Sequence, residues 1–118
     1  MRSNTPKAAL VLLNDPTFIE SARNLAERVI HETNEDDERI SLLWRLAVSR
    51  QPDVEERSLL ANLLKQRRKE FQKNPKAAED LLAVGISPRD NSLDVIEHAA
   101  WTATARAVLN LRETVGRY

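Results

Sequence analysis

Apolar residues recur along this chain at helical offsets rather than in alternation. Phe18, Ile19, Ala22, Leu25, Ala26, Val29 and Ile30 fall on one face of a helix opened by Asp15 and Pro16, the clearest amphipathic segment in the sequence. Upstream, Thr5 and Pro6 predict an N-cap and a first-turn proline for a short helix, KAALVLL, that is apolar all round and stops at Asn14. The acidic run at residues 35–38 suits the first turn of the next helix, whose stripe is Ile40, Leu43, Trp44 and Ala47 and whose end is set by Gln51 and Pro52. Asp53 with Glu56 is a capping box. Leu59, Leu60, Leu63, Leu64 and Phe71 continue that helix for about five turns, with Arg67 interrupting the stripe.

Asn74 and Pro75 start a further helix carrying Ala78, Leu81 and Leu82 and closed by Gly85. The longest irregular segment, GISPRDNSL, follows. A second capping box, Asp94 with Glu97, opens the last helix. There Ile96, Ala100, Ala103, Ala107 and Leu111 line one face and Trp101, Ala105 and Val108 its neighbour, leaving only Thr102, Arg106, Asn110 and Glu113 as a polar stripe. A helix so apolar, with alanines permitting close approach, is predicted to be central. The chain has two glycines, no strand-like alternation, no repeat and no linker. The pattern therefore predicts an all-α fold, a compact bundle of about six helices forming a single domain over residues 1–118.

Composition narrows the functions open to such a bundle. With 118 residues, 42% hydrophobic and 31% charged, the chain has the proportions of one soluble globular domain. It has no cysteine, which removes disulfide scaffolds, thiolate metal sites, iron–sulfur clusters, haem attachment through C-x-x-C-H and thiol nucleophiles. Lysine plus arginine equal aspartate plus glutamate at 18 each, so no overall field steers the chain to nucleic acid or anionic lipid. The longest apolar run, residues 8–13, is too short to span a bilayer, and the chain carries no signal-peptide cleavage pattern.

Individual residues add little chemistry. His31 and His98 show no chelating spacing, and His31 in the last turn of its helix is placed to favour the dipole, with Glu27 one turn back to face it. The acidic run at residues 35–38 lacks the pattern of a calcium loop. Residues 65–76 hold six basic side chains and one acidic one, so Arg67, Arg68 and Lys69 are candidates for phosphate contact. A solvated helix face explains them better. Trp44 and Trp101 read as core, and Arg89 with Asp90 as a loop ion pair or part of a site. The sequence assigns no catalytic, cofactor-binding or metal-ligating residue.

Three strings, RSNTPKAALVLLNDPTFIESARNLAERV, RISLLWRLAVSRQPDVEE and AAWTATARAVLNLRETVGR, together resemble a known family. It is the planctomycete domain of unknown function found in proteins that also carry a planctomycete cytochrome c-like domain, and the likeness is to its C-terminal part. The NTP, LLNDP and WT-x-x-AR-x-x-LNL motifs carry the resemblance over nearly the whole chain. Two departures stand out: Lys7 and Ala8 where members read TPLQAL, and Arg112 where they read LNLDE. The resemblance implies no activity and no site residues. It implies multidomain relatives, many of them exported, whose haem motif lies in another domain, and so a chain that is a C-terminal fragment of a longer family domain.

These readings lead to a non-catalytic helical accessory or interaction domain, binding no cofactor. Its partner is a protein: the remainder of a longer homologous chain, or a second copy covering the apolar first helix. An alternative makes the chain one wall of an enzyme active site completed by an upstream region, with Asn14, Asp15, Arg89, Asp90, Arg106 and Asn110 converging on one cleft. Nucleic-acid binding through Arg67, Arg68 and Lys69 is a third, disfavoured, reading.

Overall fold

Cap chemistry sets most of the helix starts. The computed structural model describes residues 15–116, with side chains through residue 112. Asp15 accepts a hydrogen bond from the Thr17 amide at 2.8 Å, and Pro16 begins α1 (Pro16–Glu32). Three acidic residues occupy the first turn of α2 (Asp36–Val48), where they complement the helix dipole. The capping box of α3 (Val54–Lys73) is complete: the Glu56 amide donates to Asp53 at 2.8 Å and the Asp53 amide to Glu56 at 2.9 Å. Asn74 accepts from Ala77 to start α4 (Pro75–Leu82), and Asp94 accepts from the Glu97 amide at 3.0 Å at the start of α5 (Val95–Gly116).

The class is all-α, with five helices among the described residues against the six or so expected. The helix predicted over residues 6–13 and Asn14 lie outside the described residues. Other expectations are corrected locally. Helix α2 ends at Val48, before Gln51, because Ser49 turns into the left-handed region at φ 71°. The box predicted at Asp94 is only half formed, since the Glu97 carboxylate turns instead to Arg68, at 2.7 Å. Helix α4 ends at Leu82, and Gly85 belongs to the loop beyond it.

Helix α5 packs against each of the other four, as its composition predicts. Ala99, Ala100 and Ala105 on it are fully buried, as are Ala22 and Ala26 on α1, so the two backbones approach with little side chain between them. Trp101 fills the centre with Leu43, Leu64 and Val108 around it in one apolar cluster. Thr102, expected on the polar stripe, is buried, and so is Thr104. Each returns its hydroxyl to its own helix, Thr102 to His98 O at 2.7 Å and Thr104 to Ala100 O at 2.9 Å. Arg50 clamps the α2–α3 corner, holding Glu56 with both terminal nitrogens at 2.8 and 2.7 Å while lying 5.5 Å over the Trp44 ring.

The loop from α4 to α5 folds back over α1, and Gly85 makes this possible. Its φ of +100° is open to few other residues, and a Cβ there would stand 2.8 Å from the Glu20 carboxyl carbon. Gly85→Ala is therefore expected to destabilise the fold by about 1–2 kcal/mol from backbone strain alone. Urea unfolding should show a lower midpoint at unchanged slope.

Candidate functional site

The most buried charge in the described chain sits in the middle of α1. Arg23 is only 2% exposed, on the face that also carries Ala22 and Ala26. Its Nη1 donates to Leu82 O at 2.9 Å and Val84 O at 3.1 Å, and its Nη2 to Ser87 O at 2.6 Å and Ser87 Oγ at 2.9 Å. Leu82 is the last residue of α4, so the guanidinium meets carbonyls that the helix leaves without partners and lies at the negative end of its dipole. Glu20 and Glu27, one turn to either side, approach Arg23 to 3.7 and 3.8 Å. Glu20 also accepts from the Ser87 amide at 2.6 Å and from its hydroxyl, contacts that lower its pKa.

The cluster continues through a buried histidine. Arg89 Nη1 lies 2.9 Å from His98 Nδ1, and because a guanidinium can only donate, Nδ1 must accept. The ring is then neutral with its proton on Nε2, which stands 3.1 Å from Glu27 Oε2 off the hydrogen-bond direction. Burial holds the His98 pKa below its ordinary value, with Arg89 and Arg23 adding to that against the pull of Glu27 and Asp90. Glu27 is thus turned inward and also accepts from the Asp90 amide at 3.2 Å, so it does not face His31 as expected. His31 pairs instead with Asp90, at 2.6 Å. Hydrogen bonds from Ser92, then His31, lower the Asp90 pKa to about 2.

At the other end of α5 the surface is largely apolar and, among the described residues, open. A groove of about 870 Å³ runs between α3 and α5, lined by Leu59, Leu63, Phe71, Ala103, Ala107 and Leu111 among others. Leu59, read from its spacing as core, is 59% exposed and Leu111 is 40% exposed. Arg67, Glu70, Arg106 and Asn110 also line it. Arg67 is ion-paired to Glu70, and next to the groove Arg68 bridges Asp36 and Glu97 at 2.7–3.0 Å. Arg106 is half-buried and has no hydrogen bond or ion pair among the described residues. Burial and the neighbouring Arg67 pull its pKa below the ordinary arginine value.

The five described residues of the six expected to share a cleft occupy three separate places. Asp15 caps α1, and Arg89 and Asp90 belong to the His98 and His31 cluster. Arg106 and Asn110 line the α3–α5 groove, and Asn14 lies outside the described residues. Arg23 and Glu27, the centre of the polar cluster, carry no sequence signal beyond an E-x-x-R-x-x-x-E spacing that equally describes an exposed ion-paired face. Among the described residues no group of three or more histidine or acidic side chains is placed to hold a metal ion. No helix among them is long and apolar enough to cross a membrane.

Two outcomes follow for the polar cluster. Arg23→Leu leaves the carboxylates of Glu20 and Glu27 without their cation and the α4 carbonyls without a donor. It should cost about 3–5 kcal/mol in chemical unfolding. Acidification should weaken the fold in two windows. The unfolded chain's counterpart of His98 takes up its proton near pH 6.5 and the folded one only below that, so this contribution is complete above 6.5 and is lost as pH falls. Asp90 contributes above its ordinary value of 3.8, and that is lost as pH falls toward about 2. Melting temperatures across pH 7.5 to 5 should drop, and His98→Gln should flatten that limb.

A family model described as a protein of unknown function, DUF1553 (PSD1), matches residues 1–64. No curated protein and no solved structure matches the chain. The match takes in the NTP and LLNDP motifs, all of α1 and α2 and the first half of α3, while the Trp101 string lies beyond it. With 64 of its 118 residues so matched, this chain belongs to the DUF1553 family, whose function is unknown.

Proposed function

We propose that the chain is a non-catalytic helical interaction domain that acts through the groove between α3 and α5. The observation that carries this reading is the open apolar surface itself, in which Leu59 and Leu111 remain largely exposed beside Phe71 and Leu63. Elsewhere the ionisable groups are turned on one another. Arg23, Glu20, Glu27, Arg89, His98, Asp90 and His31 hold the α4–α5 loop against α1, and the Ser87 hydroxyl that donates to Glu20 also accepts from Arg23, so it belongs to the fastening of that loop.

The resemblance to multidomain planctomycete proteins with a cytochrome c-like module supports an accessory role beside other domains. A partner protein, the rest of a longer homologous chain or a second copy would then cover the groove. Contribution of one wall to an enzyme site has less support, because the five described candidate residues are spread over three places. Nucleic-acid binding has less still, since Arg67 and Arg68 are held by carboxylates and only Lys69 of the three extends freely into solvent.

The groove should bind an apolar dye such as anilinonaphthalene sulfonate in the folded state. Leu59→Glu, at an exposed position, should abolish that signal while leaving the helical circular dichroism intact. Equal dye binding by the variant would remove the reading.

A further inference from the structure

Resting on the interaction reading, the geometry points to one kind of occupant for the groove: an amphipathic helix of a partner protein whose carboxylate pairs with Arg106. The helix is argued from the two walls. On α3, Leu59, Leu63, Gln66 and Glu70 follow one another at offsets of four, three and four. On α5, Ala103, Ala107 and Asn110 do the same at four and three. These are the rows against which a third helix packs its ridges, and the alanines on the α5 side leave room for its side chains to interleave. Trp44, almost fully buried, also lines the groove, and its indole N–H has no hydrogen-bond partner.

The carboxylate is argued from charge. Arg67 is occupied by Glu70 and Arg68 by two acids, whereas Arg106 stands half-buried with no hydrogen bond or ion pair among the described residues and with the like charge of Arg67 acting on it. A cation partly withdrawn from water and left unpaired is costly, and a planar guanidinium is matched in two places at once by a carboxylate. A second copy of this chain fits worse. A symmetric dimer closed on the groove would bring no free carboxylate to Arg106, because Glu70, the one acid in the lining, is already paired with Arg67. A single-chain carboxylic amphiphile would satisfy Arg106 but would leave most of two helix rows uncovered.

The test uses fluorescein-labelled 14-residue helical peptides with leucines at positions i, i+3, i+4 and i+7 and one glutamate at the edge of that face. A matched set carries glutamine at the glutamate position. Anisotropy should show the best glutamate peptide binding about tenfold or more tighter than its glutamine twin. Arg106→Gln should erase that ratio and Arg106→Lys should keep part of it, with circular dichroism confirming that both variants fold.

Equal affinity for the two peptides overturns the carboxylate assignment while leaving the interaction reading in place. Absence of peptide binding by a chain whose dye signal is still lost in Leu59→Glu also overturns it. Loss of both would end the interaction reading as well. The proposal is equally overturned if light scattering shows a dimer dispersed by Leu59→Glu, or if decanoate binds with Arg106 dependence where no peptide does.

Discussion

Arg23 joins three parts of the chain: α1, the end of α4 and the loop that follows it. Its fork donates to the last carbonyls of α4 and to Ser87 in the following loop, and its stem lies among the alanines by which α1 meets α5. Such a charge is tolerated inside only because its terminal nitrogens are filled and two carboxylates stand beside it. The same solution appears once more in smaller form. Arg39 of α2 reaches back to Ile30 O at 3.2 Å and Thr33 O at 3.0 Å, closing the end of α1. The ends of α1 and α4 are thus finished by guanidinium groups from neighbouring helices rather than by glycine, of which the chain has only two.

The placement of polar groups divides α5 lengthwise. Near its start, His98 and Glu97 are tied into networks with Arg89, Glu27 and Arg68, and the surrounding loop is fixed by them. Toward its other end, from Ala103 to Leu111, small and apolar residues share the groove side with Arg106 and Asn110 and meet no helix there among the described residues. Rigidity at one end and an uncovered seam at the other are both results of one helix being short of polar residues.

Local chemistry was legible in the sequence and distant chemistry was not. Asp15, Asp53 and Asn74 announced helix starts because a cap bonds to amides two or three residues away. The Glu97 box failed for the opposite reason: a partner 29 residues upstream, Arg68, won its carboxylate. Arg23 was invisible because its acceptors are backbone carbonyls, which leave no mark in the residue string. Periodicity also cannot say which of two adjoining apolar rows finds a neighbour, so Leu59 read as core although it lies on the open side. Arg106 and Arg89 were grouped by residue type, yet Arg106 lies about 12–17 Å along α5 from its first turn.

The span of the Arg23 bonds also orders events during synthesis. Their acceptors lie 59, 61 and 64 residues further along the chain. At about 5–20 residues per second, Arg23 is added to the chain roughly 3–13 s before the carbonyls that will receive it exist. Through that interval the alanine face of α1 and its guanidinium have no interior to enter. The nascent chain therefore holds α1 in waiting and closes its fold from the far end.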